Sequence, residues 1–169
     1  LDKMKIKNYT ITSDGTVDVN GSVDISNKKL IKIPVQFGKV TGSFDCANNR
    51  LTSLEGVPTT VGGHFSCSRN NLTSLEGAPT KVGGSFFCHD NNITSLSRIN
   101  HIIKSIGVTI DIEGNLLKSN VLSLLRIKDM SHIIMDNKEV QKILNRNIDN
   151  IHKAQEELLE AGFNEYARL

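Results

Sequence analysis

Apolar residues recur along this chain in columns. On a 21-residue period Phe44, Phe65 and Phe86 align, as do Cys46, Cys67 and Cys88, then Leu51, Leu72 and Ile93, then Leu54, Leu75 and Leu96. One polar column, Asn49, Asn70 and Asn91, stands inside the apolar set. Val23, Ile25, Leu30 and Ile33 precede the clear copies by one period. Ile110, Ile112, Asn115 and Leu117 follow after a 24-residue step, and Ile133, Met135 and Val140 after a further 23. Self-similarity at such spacing is the mark of a solenoid, in which each repeat buries its apolar face against its neighbours. Six rungs are predicted, beginning at Val23, Phe44, Phe65, Phe86, Ile110 and Ile133.

Each clear rung reads F-x-C-x-x-N-x-L-x-x-L. Two apolar residues separated by one describe a short strand with one buried face. The Asn sits among core positions, so its amide must hydrogen-bond backbone groups of adjacent rungs to be tolerated there. The leucines fill the interior, E-G-x-P turns the chain along the opposite side, and V-G-G returns it to the next strand.

An open solenoid exposes apolar rung faces at both ends and needs caps. At the front, "YTITSDGTVDVNGSVDIS" alternates around Asp14-Gly15 and Asn20-Gly21, both hairpin-turn dipeptides. They predict a β-hairpin cap over 1–22 with Ile11, Val17 and Val19 facing inward. At the back, "SNVLSLLRIKD" predicts a helix beside the fifth rung and "HIIMD" a last strand. Asp136 offers an N-cap to "NKEVQKIL", and "NIDNIHKAQEELLEAG" is helical in period with Gly162 as its stop. The expected organisation is therefore a front cap over 1–22, rungs over 23–140 and a helical cap over 141–169. The first three residues, ahead of Met4, read as a vector remnant.

Charge and chemistry narrow the picture. The 20 Lys and Arg nearly balance the 18 Asp and Glu, and Trp is absent. That is no footprint for nucleic acid, which requires a concentrated basic face or stacking aromatics. The three cysteines are an odd number, and no apolar run approaches the ~20 residues a membrane span needs. A soluble, cytoplasmic protein is expected. The cysteines share a column with Ile25, Ile112 and Met135, so they are read as core residues and not as metal ligands. Cys88-His89-Asp90 spells nucleophile, base and orienter, but adjacent strand residues point to opposite faces, so Cys88 goes inward as His89 goes outward. No phosphate-binding loop, nucleophile elbow or metal-ligand spacing is present, and neither enzymatic activity nor a cofactor is expected.

The motif resembles the leucine-rich repeat, with Phe65, Cys67, Asn70 and Leu72 on four of its core positions and Gly62 in place of the first Leu. "LTSLEGAPTKVGG" together with F-x-C-x-x-N is similar to the short leucine-rich-repeat proteins of tailed bacteriophages and some bacteria. The resemblance is closest over 44–96 and extends more loosely over 23–140. It implies an α+β solenoid, a right-handed coil with one parallel concave β-sheet, that binds another macromolecule. Some bacterial relatives of that class are ubiquitin ligases with a separate cysteine-bearing domain, but no Cys follows Cys88 here.

The outward strand positions are where the repeats stop agreeing. The column between Phe and Cys reads Asp24, Asp45, Ser66, Phe87, Asp111, and the flanking columns contribute His64, His89 and Glu113. Phe87 is an aromatic among Ser, Asp and His on a face expected to be solvated, a composition that often anchors partners. These eight residues form the candidate partner-binding face. The acidic C-terminal helix, with Glu156, Glu157 and Glu160, is the second candidate surface. The sequence thus predicts a monomeric, non-enzymatic protein-binding module. With the phage-like resemblance, its partner is expected to be a protein of the bacterial host, inhibited or redirected in the host cytoplasm. The alternative is an assembly component acting through self-association.

Overall fold

In the computed structural model, which describes residues 1 and 4–168, the chain is a parallel β-solenoid with helices at its C-terminal end. Part of the expected remnant, Asp2 and Lys3, lies outside the described residues, whereas Leu1 packs against the core. The strands are β1 (Tyr9–Ile11), β2 (Val17–Val19), β3 (Val23–Asp24), β4 (Phe37–Val40), β5 (Phe44–Asp45), β6 (Thr60–Val61), β7 (Phe65–Ser66), β8 (Lys81–Val82), β9 (Phe86–Phe87), β10 (Ser105–Ile106), β11 (Thr109–Asp111) and β12 (His132–Ile134). Helix α1 is a single turn, Ile99–Ile102. A 3-10 helix spans Val121–Arg126, and α2 (Lys138–Arg146) and α3 (Ile151–Glu160) close the chain.

Two sheets form, not one. The expected sheet runs β12-β11-β9-β7-β5-β3, with Val23 opposite Phe44, Phe44 opposite Phe65, Phe65 opposite Phe86, Phe86 opposite Ile110 and Ile110 opposite Ile133. These are the six predicted rungs in the predicted register. A second sheet, β1-β2-β4-β6-β8-β10, takes its strands after β1 from the residues just before the corner glycines Gly21, Gly42, Gly62, Gly83 and Gly107. Val40, Val61 and Val82 of "V-T-G" and "V-G-G" are therefore strand residues, and the chain turns a corner between the sheets at the glycines. The corner explains both glycines. A Cβ on Gly62 would collide with the Thr41 carbonyl oxygen, and one on Gly83 with that of Gly62. A Cβ on Gly63 would lie 2.5 Å from Ser43 Oγ, and one on Gly84 2.8 Å from His64 Nδ1. Backbone approaches backbone at the first position, which leaves no room for a Cβ on Gly62 or Gly83, and at the second a Ser or His side chain occupies the space a Cβ would take.

Between the sheets the columns stack. Phe44 and Phe65 lie 6.0 Å apart with rings 13° from parallel, and Phe65 and Phe86 lie 4.9 Å apart. All three are buried, as are Cys46, Cys67, Cys88 and the leucine columns. Full burial of each such side chain contributes about 1.5–3 kcal/mol.

The asparagine column does what its placement requires. Asn70 Nδ2 donates to the carbonyls of Cys67 in its own rung (3.0 Å) and Cys46 in the rung before (3.1 Å), while its Oδ1 accepts the N–H of Leu51 (2.9 Å). Asn49, Asn91 and Asn115 repeat the pattern, their Oδ1 atoms accepting from Leu30, Leu72 and Ile93. In the last rung Lys138 takes the place of Asn, and its Nζ donates to the Met135 carbonyl at 2.8 Å.

Several expectations at the ends are corrected. The hairpin β1–β2 turns at Asp14-Gly15 as predicted, but Asn20-Gly21 is no hairpin turn. Gly21 falls in the column of Gly42 and Gly63 and marks a corner between the sheets. Val17 and Val19 are buried, whereas Ile11 is 61% exposed, because β1 overhangs the core that β2 covers. The helix after the fifth rung is the 3-10 helix, with Val121, Leu122 and Leu124 buried. Asn137, not Asp136, caps α2, its side chain accepting from Val140 N–H. Asp136 instead accepts from Gly114 N–H. α2 starts at Lys138, inside the span expected for the last rung. Its side chains also close the edge of β12. Asn145 accepts from Ile133 N–H (2.7 Å) and donates to the Ile133 carbonyl (2.9 Å), and Gln141 accepts from Met135 N–H.

Replacing Asn70 by Ala orphans the buried Leu51 N–H, while the carbonyls of Cys46 and Cys67 keep Asn49 and Asn91 as donors. At about 1–3 kcal/mol for a buried group left unpaired, a loss of that size is expected. Asn70→Asp keeps the acceptor but loses the donor, so it should be comparably destabilised. Urea denaturation of the three proteins checks both, and near-wild-type stability of Asn70→Asp would show the donor side to be dispensable.

Candidate protein interface

The outward face of the β3–β12 sheet carries the predicted residues. Strand pairing sets Asp24 beside Asp45, Asp45 beside Ser66, Ser66 beside Phe87 and Phe87 beside Asp111, each step about 4.8 Å. Five of the eight candidates therefore form one row across the solenoid. Ile134, half-buried opposite Asp111, extends that row and was missed because the last rung departs from the motif.

The carboxylates in the row have local work. Asp24 Oδ1 accepts from both the N–H (2.9 Å) and the hydroxyl (2.7 Å) of Ser26. Asp45 Oδ1 accepts from Ala47 N–H and Asp111 Oδ1 from Glu113 N–H. The Ser26 hydroxyl, helped by its backbone N–H, holds the Asp24 carboxyl below the usual carboxylate range. In each Asp the second oxygen carries no hydrogen bond among the described residues, leaving it for a ligand.

Phe87 is half-buried in the row between Ser66 and Asp111, and the His64 ring leans on it at 5.9 Å and 36°. His64 does not belong to the strand face itself. It stands at the corner, in a ladder in which Ser22 Oγ accepts from Ser43 N–H, Ser43 Oγ from His64 N–H, and His64 Nδ1 from Ser85 N–H, each at 3.0 Å. The two remaining candidates point to the turn after the strands. His89 Nδ1 lies 3.0 Å from Asp90 Oδ2, and Arg69 Nε 3.4 Å from the same oxygen. The His89 contact, with Arg69 adding to it, lowers the Asp90 carboxyl below its ordinary range. Glu113 is engaged by Lys138 at 2.8 Å.

Next to this row lies a residue that composition gave no reason to select. Ser68, in the column of Ala47 and His89, is 2% exposed, and its hydroxyl has no hydrogen-bond partner. A serine amid other serines carries no sequence signal of burial.

Cys88 is fully buried on the opposite side of the sheet from His89, and burial pushes its thiol well above the ordinary range, as it does for Cys46 and Cys67. Among the described residues no group of three His, Cys, Asp or Glu side chains converges to hold a metal ion. No helix among them is long and apolar enough to cross a membrane.

On the acidic helix α3, Glu157 is not free for docking. Its Oε2 accepts from Arg146 Nε (2.6 Å) and Asn147 Nδ2 (2.9 Å), tying α3 to the end of α2. Glu156 and Glu160 are both exposed.

The fold and its surface define a repeat protein of the parallel β-solenoid class, with a regular interior and an irregular outward row. Comparison with protein-family models, curated protein sequences and solved structures finds no match.

Two outcomes follow from these contacts. Ser68→Ala removes a buried hydroxyl without a partner, so stability should be unchanged or raised. A loss above about 1 kcal/mol in urea denaturation would mean the hydroxyl is bonded after all. For Glu157, burial opposes ionisation, but the hydrogen bonds from Arg146 and Asn147 outweigh it and depress the carboxyl below its ordinary value of about 4.3. A depressed carboxyl contributes stability above the unfolded value and loses it as pH falls through the folded one. The melting temperature of Glu157→Gln should therefore fall below wild type at neutral pH, with the gap closing in acid. A gap that stays constant with pH would assign the effect to packing instead.

Proposed function

We propose that this chain is a non-enzymatic protein-binding module whose partner docks on the outward row Asp24, Asp45, Ser66, Phe87 and Asp111. The observation that carries this reading is the placement of Phe87. A half-buried aromatic stands between Ser66 and Asp111 in a row whose Asp24, Asp45 and Asp111 each keep an unengaged carboxylate oxygen. Aromatic anchors surrounded by polar rims are the usual energetic centre of protein interfaces. The row is held by backbone ladders and the asparagine column, so little conformational freedom is lost on docking. Its free carboxylate oxygens favour a partner surface that offers Lys or Arg beside an apolar pocket.

The narrower reading, a phage accessory protein that inhibits or redirects a defence protein of its bacterial host, rests on the sequence resemblance alone. Affinity capture from bacterial lysate tests the broader one, comparing wild type with a folded Phe87→Ala/Asp45→Lys variant. One protein captured by wild type and lost with the variant is the expected result. Identical capture by both would remove the row from consideration and turn attention to α2 and α3.

A further inference from the structure

The two sheets have four edges, and three are closed by identifiable devices. Asn145 and Gln141 satisfy β12. The chain at Lys128 bridges to β10, accepting from Ile106 N–H and donating to the Lys104 carbonyl. At β3 the two-residue edge strand itself carries an exposed charge, Asp24. Such blocking is how native sheets avoid edge-to-edge association.

Among the described residues the fourth edge, β1, has no such device. Asn8 accepts from Asn20 N–H, Thr10 pairs with Asp18, and Thr12 N–H donates to Thr16. Alternate residues of an edge strand face alternate sides, so the N–H and C=O groups of Tyr9 and Ile11 point away from β2. β1 carries no Pro, no charge and no bulge. Tyr9 and Ile11 stand opposite Val19 and Val17, on the core-facing side of the sheet, yet are 38% and 61% exposed. The apolar layer thus continues past the last strand that covers it.

The edge is also self-complementary. Exposed Lys7 precedes β1, and Asp14 follows it in the turn, where hydrogen bonds from Thr12, then Thr16, depress its carboxyl. An antiparallel two-fold pairing centred on Thr10 sets Tyr9 of one copy opposite Ile11 of the other, and the reverse. Both outward pairs of N–H and C=O groups are then satisfied. The same register places Lys7 of each copy opposite Ser13 and beside Asp14 of its mate, so the ends attract. Aromatic against β-branched is a favourable cross-strand pair, and a two-fold contact is the commonest symmetry of soluble assemblies.

We infer that β1 is a homodimerisation edge, joining two copies of the chain by antiparallel β1–β1 pairing into one continuous sheet. This departs from the expectation of a monomer and is independent of the outward row, which lies on the other sheet.

Sedimentation of the whole chain across a concentration series tests it, together with amide exchange. The expected result is a mass that rises toward twice that of one chain. Exchange at the Tyr9 and Ile11 amides should slow with concentration, while that of Thr10, already bonded to β2, stays constant. Ile11→Pro removes an outward N–H and the Ile11 side chain that pairs with Tyr9 of the mate, without touching a bond to β2, and should leave the hairpin's circular dichroism and melting close to wild type while abolishing the dimer. Lys7→Glu should weaken it at low salt. A wild type that stays monomeric to high micromolar concentration overturns the proposal. So does a dimer in which Tyr9 and Ile11 exchange without protection, or one that survives Ile11→Pro. If Ile11→Pro unfolds, the concentration dependence of wild-type exchange still decides.

Discussion

One side-chain amide in each of the four middle rungs ties this fold together. Each asparagine of the column donates to the carbonyl that closes its own strand and to the equivalent carbonyl one rung back, and accepts an N–H from that earlier rung. Two-residue strands make few ladder bonds of their own, so without the amide the turn after every strand would bury unpaired backbone groups. Because the amide serves its neighbour as much as itself, no rung is complete alone. The Phe and Cys stacks add apolar burial, but it is the asparagine that fixes where one rung sits on the next.

The corners impose the complementary constraint. A first glycine lets backbone pass over backbone, and a second leaves room for the Ser or His whose side chain holds the next corner N–H. Outward residues are consequently less free to vary than their diversity suggests. His64 differs from Ser22 and Ser43 in chemistry, yet accepts the same kind of N–H, and its larger ring additionally reaches Phe87. Asp24, Asp45 and Asp111 likewise divide their two oxygens between the strand and the solvent. The variable surface is built from parts that also do structural duty.

What was legible in the sequence was whatever repeats in side-chain type. The Phe, Cys, Asn and Leu columns predicted the rungs and their register, and the alternation within F-x-C predicted which residues face out. Beyond the predicted β1–β2 hairpin the second sheet was not legible, because β6, β8 and β10 are two residues long, too short for alternation, and run into glycines that read as a turn. Asn20-Gly21 misled for a similar reason: a dipeptide favoured in hairpins is equally at home at a corner that needs positive φ, here +139° at Gly21. The cap of α2 moved by one residue, from Asp136 to Asn137, since either side chain can accept and only the course of the preceding strand decides. Of the candidate row, five residues were found from register alone. The engagement of His89 by Asp90 and of Glu113 by Lys138 depends on side-chain reach, which no column records.

The same exact register that stabilises the native stack makes each repeat a rival of its neighbour during folding. Residues 49–67 and 70–88 present nearly the same surface above and below, so a chain that skips one rung would still satisfy most of its phenylalanine and asparagine contacts. What separates the right stacking from the shifted one is the irregular material: the 24-residue step with its single-turn α1, the lysine that substitutes for the final asparagine, and the amides of α2 that fit only β12. The imperfect repeats act as the index marks by which the perfect ones are counted.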